Sequence, residues 1–239
     1  MVTCEHAGND VPEAYRTLFT GHEHLLPTHR GWDPGALVLA QEMAEHLDAP
    51  LYFSTTTRLL VDLNRSVGTP DLHSEATRHL ARAERRLILE RYYHPHRQET
   101  EGAIGAAVKG GARVIHVASH SFTPELHGLV RTADVGLLYD PSRPGEVVFS
   151  SAWLAALAHR DPGLRLRRNY PYLGTSDGLT MALRRRHPPD RYIGVELEVN
   201  QRYVEAGGPE WPRIRAMLVE SLGEALAAMP ARAASSADR

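Results

Sequence analysis

The chain has 239 residues, 42% of them hydrophobic and 23% charged, and a formal net charge of −2. This is ordinary globular composition with ample material for a buried core, which excludes a disordered or fibrous chain. The balanced charge gives no single-sign field for nucleic acid or an anionic membrane, and the basic clusters at Arg184-Arg185-Arg186 and between Arg165 and Arg168 are offset elsewhere.

No apolar run reaches bilayer-spanning length, and no basic segment precedes an apolar one at the N-terminus, so neither a membrane span nor a secretory signal is expected. The lone Cys4 excludes an internal disulfide and fits a reducing, cytoplasmic compartment. Its expected role is that of a small buried strand residue.

Val2 to Cys4 reads as a short buried strand, followed by the turn formers Gly8, Asn9 and Pro12. Pro12 to Phe19 predicts a short helix with Asp10 as a candidate cap. Pro34 to Leu47 has apolar residues at helical spacing behind a first-turn proline. Leu51 to Ser54 and Leu59 to Leu63 read as strands. The stretch from Ala83 to Gly111 is mostly helical, with a break expected near Pro95 and an end at Gly110-Gly111. Strands follow at Arg113 to Ala118, Val135 to Tyr139, Leu164 to Arg168 and Tyr192 to Val199. Helices are expected at Ala152 to His159, Gly178 to Arg186 and Glu210 to Met229. The final residues, "ARAASSADR" at 231–239, read as a disordered tail after one domain at 1–230. This alternation predicts an α/β fold, a single-domain mixed sheet flanked by helices on both faces.

In such sheets, functional groups gather where strands run out into loops. Five polar clusters sit at such places: Glu5-His6; His29 and Asp33; Asp62, Asn64 and Arg65; His116, His120 and Ser121; and Glu196, Glu198, Asn200 and Arg202. Alternation puts His116 and His120 on one face if the strand stays regular, but Ser119 marks an expected strand end. His116 reads as a satisfied core histidine. Glu196 and Glu198 share a face of an otherwise apolar strand, so they need a cation, an arginine or a part in proton transfer. Asn64-Arg65 pairs an amide with a guanidinium, a combination suited to an anionic group.

The fragments "CEHAGNDVP", "HRGWDPGA", "VDLNR", "SHSF", "NYPYLG" and "VELEVNQRY" occur in this order over roughly residues 2 to 204. Together they resemble the N-formylglutamate amidohydrolase family, which is related in fold to zinc carboxypeptidases. The resemblance implies a phosphorylase/hydrolase-like sheet, a single zinc ion (Zn2+) and a small anionic N-acyl amino acid as substrate. It implies His6 and His120 as metal ligands, Glu198 as the base that activates water, and Asn64 with Arg65 as holders of the substrate's α-carboxylate. Carboxypeptidase relatives take a further ligand three residues after the first histidine; here that residue is Asn9, a poor zinc ligand. Asp33 and Glu5 are the candidates in its place. Asp33 is preferred, because Glu5 adjoins His6 on an extended segment and points the opposite way; Glu5 is left to hydrogen-bond an imidazole. Arg131 or Arg202 is available to read a second carboxylate, and Tyr172, in the "NYPYLG" loop, to form a pocket wall. Two other readings stand beside this one: a carboxypeptidase-like hydrolase of small peptides, and a non-catalytic metal- or ligand-binding protein on the same fold.

Overall fold

Strands β1 (Val2–Cys4), β2 (Leu51–Phe53), β3 (Val114–Phe122), β6 (Val135–Leu138), β7 (Leu166–Arg168) and β8 (Tyr192–Asn200) form one sheet in the order β2-β1-β3-β8-β6-β7, seen in a computed structural model that describes residues 1–230. The tail expected at 231–239 lies outside the described residues. The pairs β1–β2, β1–β3, β3–β8 and β6–β7 are parallel and β6–β8 is antiparallel, so the sheet is mixed. A two-stranded ribbon, β4 (Glu125–Leu126) with β5 (Leu129–Val130), lies between β3 and β6 in the chain.

The alternation within β8 decides what each face of the sheet does. Ile193, Val195, Leu197 and Val199 enter the main apolar core together with Val2, Cys4 and Val117. That core is closed by α1 (Ala36–His46), α4 (Pro144–Arg160) and α7 (Glu210–Ala227), with Trp153 fully buried within it. The opposite face carries the polar members, Glu196 and Glu198, beside His116 and His120 of β3. It is covered by α3 (His94–Lys109) and α5 (Leu179–Arg186) through a smaller core of Ile104, Val114, Leu179, Leu183 and Tyr192. A short α6 (Arg202–Glu205) links β8 to α7.

Three expectations need correction. Leu59 to Leu63 is not a strand: its carbonyls accept from Ser74 and Thr77 side chains, and the Asp62 amide donates to the Leu72 carbonyl. The run is buried in a second apolar cluster with Phe19, Ile88 and Tyr93, and a short apolar run cannot by itself distinguish a strand from a buried loop. Asp10 caps nothing; the 3-10 turn Glu13–Phe19 starts behind Pro12, and the Asp10 backbone instead bridges to Thr56, prolonging the β1–β2 pairing. β3 does not stop near Ser119 but runs on to Phe122, which puts His120 inside the sheet, opposite Glu198.

The helix from α2 (Arg82–Ile88) to α3 is interrupted as expected, although the break is a π-helical turn at Leu89–Tyr93 and Pro95 occupies the tolerated first turn of α3.

Two glycines are required by backbone conformation or by close approach. Gly35, at φ +81°, opens α1 in a conformation that few side-chain-bearing residues adopt. Gly136 lies under the 169–174 loop, where an added Cβ would stand 1.8 Å from the Tyr170 carbonyl oxygen. Gly136→Ala should therefore destabilise the protein by about 1–3 kcal/mol through overpacking, read as a lowered midpoint in thermal or urea unfolding; an unchanged midpoint would show that the loop moves away freely.

Candidate active site

β1 and β3 are neighbours from which the chain departs in opposite directions, to β2 on one side and to β6, beyond β8, on the other, and ligand crevices form outside the carboxyl ends of strands at such points. His6 lies just past the end of β1, and His120 lies near the end of β3. Asp33 joins them from the loop before α1. The Ser119 and Ser121 hydroxyls donate to the carbonyls of Ala36 and Pro34 at 2.9 and 2.8 Å, and the Asp33 amide donates to the His6 carbonyl at 3.0 Å. These bonds hold Asp33 against β1 and β3.

His6, Asp33 and His120 are buried, and one ligand atom from each lies within 4.8 Å of the others. Nδ1 of His6 is 3.3 Å from Asp33 Oδ2, and Nδ1 of His120 is 2.9 Å from the same oxygen. Each ring turns its other nitrogen to a different carboxylate: His6 Nε2 to Asp62 Oδ1 at 2.7 Å, and His120 Nε2 to Glu5 Oε2 at 3.1 Å. An outer carboxylate on Nε2 leaves the Nδ1 lone pair to face inward, which is how metal-binding histidines are commonly oriented. Ligand atoms about 2.0–2.1 Å from a tetrahedral zinc stand about 3.3 Å from one another, near the 3.3 and 2.9 Å that separate the two Nδ1 atoms from Asp33 Oδ2. The three residues therefore fit a divalent metal.

The electrostatics point the same way. Burial alone would lower the His120 pKa, but Asp33 and Glu5 more than offset it and hold the imidazole well above its ordinary range. Burial would raise the Asp33 carboxyl, and His6 and His120 pull it below its ordinary value instead. In the metal-free chain, then, a proton on His120 stands where a cation would. Asp62 is likewise held well below its ordinary value, against its burial, chiefly by Arg58 and His6.

Glu198 differs from these carboxylates. It is buried and paired in register with His120, and its Oε2 has no hydrogen-bond partner among the described residues. Burial, reinforced by Asp33 and Glu196, pushes its pKa up to about 8, while His120 and Arg58 oppose the rise. A cation placed beside it would pull it down again. Glu196 takes a hydroxyl bond from Thr180, and neither glutamate forms an ion pair with an arginine among the described residues. His116 is a core residue: its ring nitrogens meet Thr3 Oγ1 at 2.9 Å and the Tyr192 hydroxyl at 2.7 Å, and burial lowers its pKa to about 3.

A cavity of about 460 Å³ opens over this cluster, and Asn64, Arg65, Arg58 and Tyr172 are among its walls. Asn64 Oδ1 accepts from the Leu179 amide at 2.7 Å, which leaves its Nδ2 as the donor. Arg65 Nη1 donates to the carbonyls of Asn64 and Asp177, both at 3.0 Å. Arg131 is not on the cavity wall; its guanidinium stacks over the rings of Tyr172 and Phe122, at 5.3 and 6.0 Å. Arg202 is spent elsewhere, on Asp134 and the Tyr203 hydroxyl. Asn9 donates to the Leu26 carbonyl at 3.0 Å and is not among the cavity walls.

Sequence reasoning missed Arg58, which donates to Asp62 Oδ2 at 2.7 Å and to Asp33 Oδ1 at 3.4 Å and so braces both carboxylates. No periodicity announces it; the available signal is an arginine four residues before the acid of "VDLNR". Strict alternation turns Glu5 away from His6, yet Glu5 reaches the cluster from the other side, through His120, because the chain leaves the strand geometry at Glu5.

Among the described residues no helix is long and apolar enough to cross a membrane. The family model for N-formylglutamate amidohydrolase matches residues 1–204. The fold is similar to the crystal structure of a gene product from Agrobacterium tumefaciens, with a TM-score of 0.81 and 31% identity, the match covering 95% of this chain and 90% of that one. It is also similar to the N-formylglutamate amidohydrolase from Ralstonia eutropha JMP134, with a TM-score of 0.69 and 19% identity over 95% and 93% of the two chains, a likeness of fold alone. No curated protein matches the sequence.

The raised Glu198 carboxyl has a signed consequence. In its metal-free form the native state holds this proton more tightly than the unfolded chain does, so its contribution to stability is lost as pH rises through the folded value of about 8. In chelator-treated protein, wild type should lose stability relative to Glu198→Gln between about pH 5 and about pH 8, measured by urea unfolding. A difference that stays flat or shifts in favour of wild type as pH rises would mean that burial does not govern this group.

Proposed function

The chain belongs to the N-formylglutamate amidohydrolase family, and from that premise we propose that it is a zinc-dependent hydrolase of the amide bond of an N-acyl amino acid, N-formylglutamate being the substrate the family name supplies. The observation that carries this reading is the aim of the two buried imidazoles: both Nδ1 atoms face one carboxylate oxygen, and both Nε2 atoms are held from behind by carboxylates. Two histidines and one carboxylate with an open fourth position make a catalytic zinc set.

When bound, the metal supplies Lewis-acid polarisation of the amide carbonyl and makes water a better nucleophile at neutral pH. Glu198 is the base that takes the proton from this water and delivers it to the departing nitrogen. Its burial raises its proton affinity and a neighbouring cation lowers it, which brings the group near the working pH. Arg58 presents a positive charge beside Asp33 at the wall of the cavity. Asn64 Nδ2 and the remaining N–H groups of Arg65 bind the substrate's α-carboxylate and so hold the amide over the metal.

A carboxypeptidase-like specificity has less support, since Asn9 faces Leu26 rather than the cluster. A purely binding role leaves the buried, unpartnered Oε2 of Glu198 without a purpose.

Glu198→Gln should keep zinc and lose a factor of about 10² to 10⁴ in hydrolysis of N-acyl amino acids, measured by release of the free amino acid. Turnover close to wild type would remove Glu198 as the base. His6→Ala, Asp33→Ala and His120→Ala should each lose most bound zinc in metal analysis of purified protein. Stoichiometric zinc in any of them would strike that residue from the ligand set.

A further inference from the structure

Helix α3 buries an unusual face. Its inward residues are His96, Arg97, Thr100 and Ile104, so three of the four are polar or charged. The π turn at Leu89–Tyr93 precedes them and adds a residue to the turn, which rotates the downstream side chains by about 100° relative to an unbroken helix. The rotated side chains grip the active-site loops. The Tyr93 hydroxyl donates to the Arg65 carbonyl at 2.7 Å, and Arg97 Nη1 donates to the Leu63 carbonyl at 3.2 Å while its guanidinium stacks over the Tyr93 ring. Both bonds pin the backbone that carries Asn64 and Arg65.

His96 does something different. Its Nε2 lies 4.0 Å from Glu5 Oε1, on the far side of the carboxylate whose Oε2 faces His120. Glu5 is wholly buried and His96 nearly so. Neither Glu5 oxygen has a hydrogen bond of good geometry among the described residues, and His96 Nε2 has none either. A buried carboxylate in this position needs a second contact to choose one orientation.

We propose that His96 is a positioning residue for the metal centre: it fixes Glu5 from behind, and Glu5 in turn fixes the ring of His120 with Nδ1 facing inward. His96, Glu5 and His120 thus form one line running from α3, across the end of β1, to the end of β3. This rests on the reading of His6, Asp33 and His120 as the metal ligands. The role belongs to His96 and not to its neighbours, because Tyr93 and Arg97 act on the substrate-binding loop and leave Glu5 untouched.

The test is the zinc affinity of the full chain, measured by competition with a chelator, for wild type, His96→Ala, Glu5→Gln and the double variant, with folding of each followed by circular dichroism. Each single change should weaken zinc binding by about 10- to 100-fold, the range for groups that orient a ligand from behind. The double variant should be no weaker than the poorer single one, because both changes break the same line. kcat should fall in the single variants while KM stays near wild type, since the substrate-binding loop is held by other residues. Losses that add in the double variant, or wild-type affinity in His96→Ala, would overturn the proposal. If His96→Ala does not fold, His96→Gln takes its place. It can still donate toward Glu5 and should retain more affinity than Glu5→Gln; an equal loss would count against the positioning role. Wild type that takes up no zinc would overturn the metal reading itself, whereas unchanged binding in the His96 variants overturns only the role of His96.

Discussion

Four carboxylates crowd the end of this sheet: Glu5, Asp33, Asp62 and Glu198, all buried. Arg58 pairs with two of them, and the imidazoles of His6, His120 and His96 face three. Gathering so much negative charge away from water is costly unless cations join it, and the cost is greatest where buried oxygens make no hydrogen bond among the described residues, as at Glu5 and at Oε2 of Glu198. The rest of the site depends on this constraint. In the metal-free chain a proton on His120 meets part of the demand, and a divalent ion between His6, Asp33 and His120 would meet it more completely. Glu198 remains apart, next to that position but outside the set.

The fold delivers these groups because the sheet separates two tasks by face. One face of β8 contributes Val195, Leu197 and Val199 to the main core, and the other carries Glu196 and Glu198. Pairing in register places Glu198 opposite His120, so one strand's carboxyl and the next strand's imidazole are neighbours by construction. The polar face is covered by α3, which buries His96, Arg97 and Thr100, and by α5, whose first amide holds Asn64. Hydrophobic burial on one side thus stabilises the sheet, while the other side is given over to a charged centre.

Much of this is legible in the sequence. The α/β alternation predicts the architecture, and the ordered fragments from Cys4 to Tyr203 contain the residues that the structure gathers round one cavity. The failures have physical reasons. Leu59 to Leu63 is apolar and short, and such a run can be buried by a loop cluster as well as by strand pairing. Strict alternation sends Glu5 to the far side, but the strand has already ended there. Arg131 sits near the cavity without lining it, because its guanidinium is occupied by two aromatic rings. Arg58 and His96 leave no trace in hydrophobic periodicity: Arg58 also reaches Asp33, 25 residues away, and His96 lies on a polar helix face.

The central claim is that the excess buried negative charge exists to hold a divalent metal between two histidines and Asp33. X-ray absorption at the zinc edge, on protein reconstituted with zinc, tests it most directly. The account predicts a shell of two imidazole nitrogens with oxygen donors at about 2.0–2.2 Å, from which one imidazole disappears when His120 is replaced. A shell without imidazole, or one unchanged by that replacement, would contradict it.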